Sequence, residues 1–170
     1  EVNEDDYIEK LENKYSGMEI SEFEVKNARD YGKPIMESFS FTLENQADII
    51  GDKIYLAPML FLRTSVNPFK LEKREFPVDF RYPSKSTQRV LIKLPEGYKV
   101  ESLPESKAIS MPDNLGSFSY QVSASGTGIQ LVVKTSINNA LISPIYYDGL
   151  KEYFKILVEK ETEKIVLTKE

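Results

Sequence analysis

The sequence contains no cysteine and no histidine among its 170 residues. Without cysteine the chain has no thiolate nucleophile, no disulfide and no thiolate metal ligand. Without histidine it has no imidazole base, so neither a Ser-His-Asp nor a Cys-His arrangement can be built from it. Zinc and non-haem iron sites usually use the same missing side chains. We therefore predict no enzyme activity for this chain, no catalytic residue, no cofactor and no bound metal.

Long apolar runs and an excess of basic charge are missing as well. A membrane-spanning helix needs roughly 20 apolar residues, and the apolar runs here are far shorter. The 22 basic residues are outnumbered by 27 acidic ones and scattered among them, which gives a net charge of -5. Because a nucleic-acid site needs Lys and Arg clustered on one face, no nucleic-acid partner is predicted. The chain starts at Glu1 without a leader pattern, so we expect a piece of a longer protein.

What the sequence does contain is a succession of strand patterns. Apolar and polar residues alternate over several segments separated by Gly, Pro and Asn turns, and apolar residues recur with helical spacing only near the two ends. This order predicts a mainly β, α+β fold, namely an antiparallel Ig-like β-sandwich with a short N-terminal helix and a C-terminal helix packed on the sheet. The clearest strands are predicted at 18–25, 35–43, 52–56, 90–94, 118–122 and 129–137, and the helices at 3–15 and 145–160.

The pattern also predicts how the chain is divided. Residues 1–17 are interpreted as a connector helix that leads from a preceding domain, and 18–170 as a single β-sandwich-like domain, of which 75–170 is the most recognisable part. Within it, Pro95-Glu96-Gly97 is predicted to be a tight turn into a return strand, because Gly adopts positive φ easily. Ser123 to Gly128 is predicted to be a hairpin loop.

Three tyrosines near the C-terminal helix are the best candidates for a ligand surface. Tyr146, Tyr147 and Tyr153 could form an exposed aromatic patch that binds carbohydrate or peptide. The alternative is that their helical spacing docks the helix on the sheet, and this interpretation is favoured. The apolar run from Met59 to Leu62 is expected to pack under the sheet. The alternative is that this run, or the helix face of Tyr7 and Leu11, contacts a partner. The oligomeric state does not follow from the sequence.

Acidic side chains lie close together at several places in the sequence. General acid-base chemistry needs two carboxylates in a concave site with separated pKa values, and closeness in sequence does not provide this. Solvated surface positions are therefore favoured for the pairs Asp5 with Asp6, Glu72 with Glu75 and Glu159 with Glu161. The Asp113-Asn114 pair could contact calcium, but without the EF-hand spacing a plain turn is favoured.

A set of short motifs occurs in a fixed order along the chain. They are Asn67-Pro-Phe69, Arg74-Glu-Phe-Pro-Val-Asp-Phe80, Leu94-Pro-Glu-Gly-Tyr98, Leu103-Pro104, Phe118-Ser-Tyr120, Tyr147-Asp-Gly-Leu-Lys-Glu-Tyr-Phe154 and Ile165-Val-Leu-Thr-Lys169. In this order they resemble the uncharacterised C-terminal β-rich domain of exported transglutaminase-like proteins of Gram-negative gut bacteria, which have a papain-like core. The resemblance covers about residue 18 to the end of the chain.

The resemblance implies a non-catalytic accessory domain of a larger transglutaminase-like or protease-like protein. Such a domain would brace or present the catalytic core, and its partner would be the upstream transglutaminase-like domain of the same chain. The family's Cys-His-Asp chemistry belongs to that core, so no catalytic residue is carried over to this chain. The resemblance also implies an exported, periplasmic or cell-surface location. The alternative, from the residues, is an independent carbohydrate- or peptide-binding module.

Overall fold

The computed structural model describes residues 3–126 and 128–170. The chain forms two compact units, Glu1–Gln46 and Ala47–Glu170. This division differs from the predicted one, which separated residues 1–17 from the rest. The first two residues of the predicted connector and Thr127 of the predicted hairpin loop lie outside the described residues.

The first unit consists of a helix and a β-hairpin. Helix α1 (Glu4–Lys14) begins with three acidic residues, which suit the positive end of the helix dipole. Strands β1 (Met18–Lys26) and β2 (Met36–Leu43) pair in antiparallel fashion. The helix is tied to the hairpin, because the Tyr7 ring lies 5.5 Å from that of Phe23 and the Ile20 amide donates a 2.7 Å hydrogen bond to Glu12 Oε1. These contacts explain why α1 and the hairpin form one unit.

The second unit contains the remaining strands and one long helix. In chain order they are β3 (Ala47–Ile50), β4 (Lys53–Leu56), β5 (Val78–Asp79), β6 (Ser84–Lys93), β7 (Tyr98–Ser102), β8 (Lys107–Ser110), β9 (Gly116–Ser125), β10 (Gly128–Ile137), β11 (Leu141–Ile142), α2 (Tyr147–Thr162) and β12 (Ile165–Lys169). One sheet has the order β6-β10-β9-β8 and another β3-β4-β12-β7, while β5 pairs with β11. All pairings are antiparallel, which confirms the predicted β-sandwich-like α+β fold.

The inner face of the β6-β10-β9-β8 sheet carries the core. Alternating residues of β9 and β10, such as Phe118, Tyr120, Leu131 and Val133, are fully or almost fully buried. They form a large cluster with the apolar stripe of α2. Further along the same strands, Ile129 joins a second cluster with residues of β12 and β4. Both clusters follow from period-two alternation on paired strands.

The Pro95-Glu96-Gly97 turn forms as predicted but does not close a hairpin. Gly97 has φ of 77°, and the Tyr98 amide donates to the Pro95 carbonyl at 3.2 Å. However, β6 pairs with β10 and β7 pairs with β12, so the turn carries the chain from one sheet to the other. The strand after the turn forms, but the expected pairing of this strand with the preceding one is wrong. The strand pattern specifies two strands and a turn, whereas the partner of each strand is set by long-range burial.

Other local features differ from the prediction in smaller ways. The exposed edge strand β3 is not among the strands predicted from the sequence. Met59 is buried, as the core interpretation of its apolar run requires, but Leu62 at the end of the run is exposed. Strands β9 and β10 extend into the predicted 123–128 loop until Ser125 pairs with Gly128, so the connection between them is shorter than predicted. In the described part of the chain neither helix is long and apolar enough to cross a membrane.

A matched pair of leucines tests which face of this sheet forms the core. Leu131 of β10 is fully buried, whereas Leu91 of the neighbouring strand β6 is 78% exposed. We expect Leu131→Ala to lower the free energy of unfolding by about 2–5 kcal/mol, because it removes buried methyl groups and leaves a cavity. Leu91→Ala should change it by less than about 0.5 kcal/mol. Urea denaturation of both variants checks this, and equal losses would show that the face assignment is wrong.

Candidate functional site

The predicted tyrosine patch is not an exposed platform in the structure. Tyr147 and Tyr153 are each only 3% exposed, and Tyr146 is half-buried. The Tyr153 ring contacts Phe118 at 6.5 Å between centroids, and its hydroxyl donates to the Ser117 carbonyl at 2.9 Å. The exposed-patch prediction is therefore wrong for Tyr147 and Tyr153, because α2 turns these rings inward to dock on the sheet.

The two remaining phenolic groups have specific partners of their own. The Tyr147 hydroxyl donates to the Leu71 carbonyl at 3.1 Å and so ties the irregular 57–74 segment to α2. The Tyr146 hydroxyl bonds the Asp113 carboxylate, which raises the pKa of Tyr146. Asp113 itself lies in a 3-10 turn, Pro112–Asn114. These tyrosines fasten the helix to surrounding loops.

The acidic pairs do not come together as a catalytic or metal site. Five of the six carboxylates of these pairs are exposed. Among residues 3–126 and 128–170, no group of three or more acidic side chains is gathered where it could hold a metal ion. The exception to this surface placement is Glu161, which is only 2% exposed.

Glu161 is the functional candidate that the sequence reasoning missed. It was interpreted as one of two solvated carboxylates near the end of α2, and this interpretation is wrong. The spacing contained a signal: Glu161 lies four residues after Leu157, which in turn lies four after Tyr153, and both of these face the core. Residues at such intervals share one face of a helix. A carboxylate at the end of an apolar stripe therefore indicated burial.

A cavity of about 250 Å³ opens beside the Glu161 side chain. Residues of β6 and β10, α2 and the segments before β5 and β6 line it together, namely Thr64, Phe80, Ser84, Ser86, Gln88, Thr135, Ser136, Ile137, Tyr153, Phe154, Leu157 and Glu161. The β6 residues Ser84, Ser86 and Gln88 alternate with outward-facing residues, so they continue the inner-face row that Val90 and Ile92 begin. The inner face of the sheet thus changes from apolar to polar along β6, and the cavity lies at the polar end.

The local geometry leaves acceptor capacity at this site. The Thr64 amide donates a 2.6 Å hydrogen bond to Glu161 Oε2. The amide oxygen of Gln88 is buried and has no hydrogen-bond partner among the described residues. The Tyr120 hydroxyl is also buried without a partner among the described residues. Tyr120 and Gln88 lie on either side of Val133, which pairs with both of them across the sheet. Buried polar atoms without partners are rare in folded proteins and call for an explanation.

Burial dominates the electrostatics around Glu161. Desolvation raises the pKa of its carboxyl group, and the hydrogen bonds from Thr64 oppose this shift without cancelling it. Burial, reinforced by the negative charges of Glu163 and Glu161, raises the pKa of Tyr120. Burial also raises the pKa of Tyr153 to about 12, although its hydrogen bond to Ser136 acts in the opposite direction. Glu161 and Tyr153 therefore form a poorly solvated side of the cavity, where burial favours the neutral form of each.

The comparisons with known proteins identify what kind of domain carries this site. By its fold, the chain is a β-sandwich-like α+β domain. Residues 52–167 match the model of the family described as "Domain of Unknown Function with solved-structure structure (DUF3858)", and the chain belongs to that family. No curated protein matches the chain.

Among solved structures, the fold is similar to part of a much larger protein. That protein is the "putative protease" from Parabacteroides distasonis ATCC 8503, whose crystal structure was determined at 2.00 Å. The superposition has a TM-score of 0.50 at 15% sequence identity and covers 58% of this chain. The chain matches 19% of the length of the Parabacteroides protein. At this identity the similarity shows the fold alone.

The raised pKa of Glu161 predicts how stability depends on pH. In the folded protein this pKa lies above the ordinary value of 4.5, so the stabilisation of the neutral form is complete below that value and is lost as pH rises through the folded-state pKa. The variant Glu161→Gln does not titrate at this position. We expect the wild type to lose stability relative to E161Q as pH rises from 4.5 through the folded-state pKa, measured by urea denaturation over a pH series.

The exposed Glu159 on the same helix supplies the matched control. Glu159→Gln removes the same charge from a solvated position, so its stability difference from the wild type should change little over this pH range. Parallel pH curves for the wild type and E161Q would contradict a desolvated carboxylate at position 161.

Proposed function

We propose that this chain is a non-catalytic accessory domain of a larger exported transglutaminase-like or protease-like protein, in which it braces or presents the catalytic core. The observation that carries the proposal is the recurrence of this fold as 19% of the Parabacteroides protein, a far longer chain. Domains of one long chain contact each other through interfaces, and through such an interface this domain would support its neighbour.

The side-chain inventory supports the same proposal. The chain lacks both cysteine and histidine, the usual nucleophile and base of papain-like and transglutaminase chemistry. Glu161 is a buried carboxylate beside a cavity, and no second carboxylate is among the described residues that line this cavity. General acid-base chemistry by paired carboxylates therefore has no partner group there. The transglutaminase-like parent and the export are supported by the motif resemblance described for the sequence.

The structure does not favour the alternative of an aromatic binding platform at Tyr146, Tyr147 and Tyr153. That hypothesis required several exposed rings together, and Tyr147 and Tyr153 are buried in the helix-sheet interface. An accessory role needs no such platform. A stable core and an outer surface that can contact a neighbouring domain are sufficient for it.

Two measurements test the proposal together. The purified chain should show no peptidase and no transamidase turnover, because it has neither the cysteine nor the histidine of papain-like and transglutaminase chemistry. The complete reading frame of the gene should encode a domain bearing cysteine and histidine upstream of this chain. Turnover that survives purification and is abolished by Glu161→Gln, or by another single Asp or Glu substitution, would contradict the non-catalytic role. A reading frame without such a domain would contradict the accessory role.

A further inference from the structure

We propose that the cavity beside Glu161 is a binding site for a cationic nitrogen group, either an ammonium or a guanidinium. The proposal is independent of the accessory role, since it rests on the residues around the cavity. Its first support is the buried carboxylate itself. A carboxylate that is 2% exposed is costly unless it is paired, and among the described residues Thr64 supplies the hydrogen bonds that offset the loss of water around Glu161.

The basic side chains near Glu161 in sequence do not neutralise it. Lys160 pairs with Glu163 at 2.6 Å, and Lys164 pairs with Asp48 at 2.5 Å. Arg63 precedes Thr64 but does not line the cavity, and neither does any other Lys or Arg. When Glu161 is ionised, it gives the cavity a negative charge that none of the described lining residues neutralises. A positively charged ligand would complete the pair that the chain itself leaves incomplete.

The second support is the buried amide oxygen of Gln88. The Gln88 side chain lines the same cavity as Glu161, and its amide oxygen is buried without a hydrogen-bond partner among the described residues. An amide oxygen accepts hydrogen bonds and does not donate them, and the same holds for an ionised carboxylate. The hydroxyls of Ser84, Ser86 and Thr135 can accept as well. An ammonium has three donors and a guanidinium five, and neither has an acceptor, so both match this set of atoms.

The third support is the aromatic wall of the cavity. Phe80, Tyr153 and Phe154 line it together with Glu161. The Tyr153 and Phe154 rings are held in an edge-to-face arrangement at 5.3 Å, so their positions are fixed by packing. Aromatic faces attract Lys and Arg cations, and desolvation strengthens the attraction. An anion would meet both the ring faces and the carboxylate unfavourably.

The size of the cavity limits what part of a ligand can enter. Its volume of about 250 Å³ is below the roughly 300–1,000 Å³ of pockets that enclose drug-sized molecules. It suits a small amine or the end of a lysine or arginine side chain. The two sources share the same cationic group, so the experiment is designed to distinguish them.

The competing interpretation is that Glu161 only fastens the segment containing Thr64 to α2. Glu161→Gln separates the two ideas, because the amide oxygen can still accept from the Thr64 amide while the negative charge is lost. A purely structural role predicts no ligand that depends on the charge. A cation site predicts one.

The test is a titration of the 15N-labelled chain followed by NMR, with the Thr64 backbone amide as reporter. The probes are butylammonium and methylguanidinium, and their neutral counterparts butanol and methylurea serve as size controls. We expect saturable shifts of the Thr64 resonance with the two cations and none with the neutral molecules. Absence of a saturable shift with both cations, up to about 50 mM of each, would overturn the proposal.

Three variants decide whether the binding uses this cavity. Glu161→Gln should weaken the affinity for methylguanidinium by at least about tenfold, the effect of losing one charged hydrogen-bond partner. Glu159→Gln, with the same charge change at an exposed position of α2, should leave the affinity within about twofold. Gln88→Leu should weaken it by at least about threefold and decides the question if E161Q does not fold. Unchanged affinity in E161Q, or in Q88L if E161Q does not fold, would overturn the proposal.

A last comparison identifies the source of the cation. The peptide acetyl-Gly-Arg-Gly-amide is titrated beside methylguanidinium, with the citrulline peptide as neutral control. Binding of the arginine peptide at least about tenfold tighter than methylguanidinium assigns the site to a side chain of a polypeptide, and equal affinities assign it to a small cation. Equal binding of the arginine and citrulline peptides would overturn the requirement for charge.

Discussion

The antiparallel pairing of β9 and β10 is the constraint on which the rest of the second unit depends. One face of this pair is buried along most of its length, with Tyr120 and Leu131 excluded from solvent altogether. The strands contribute to the core under α2 and, further along, to the core shared with β4, β7 and β12. Two packing interfaces therefore rest on one hairpin, and each is stabilised by the burial of apolar surface.

This shared face explains which parts of the fold could be predicted from the sequence. Strands with clean alternation, such as 118–122 and 129–137, were located correctly because burial of one face imposes period two. The strand pairing after Gly97 was not predicted correctly, because a Pro-Glu-Gly turn has the same sequence whether the next strand pairs back or crosses to another sheet. The edge strand β3 was missed because its residues are all exposed and leave no pattern of burial.

The candidate site was less predictable than the fold. Tyr147 and Tyr153 were rightly favoured as core residues on helical spacing, and their burial removes them as a ligand surface. Glu161 was assigned to the surface because its residue type outweighed its position on the same stripe. Nothing in the sequence indicated that Ser84, Ser86 and Gln88 of β6 line a cavity, because polar residues at alternate positions are also typical of a solvated edge strand. Only the packing of α2 over this end of β6 makes them the lining of a cavity.

The site and the scaffold are linked through α2. Its apolar residues hold the sheet, and its last turn places Glu161 over the polar end of the same face. A domain built this way combines a packed core with a small recess beside a buried carboxylate. The recess exists only while the β9–β10 face and the helix stay packed together.

Native-state hydrogen exchange measures that dependence most directly. The account predicts that the amides of Tyr120 and Leu131 exchange only through global unfolding, with the same free energy as urea denaturation, while amides of the exposed strand β3 exchange through local opening. If the β9–β10 amides instead exchange at a lower free energy than those of β4 and β12, the hairpin is not the element that holds both cores, and the central claim is contradicted.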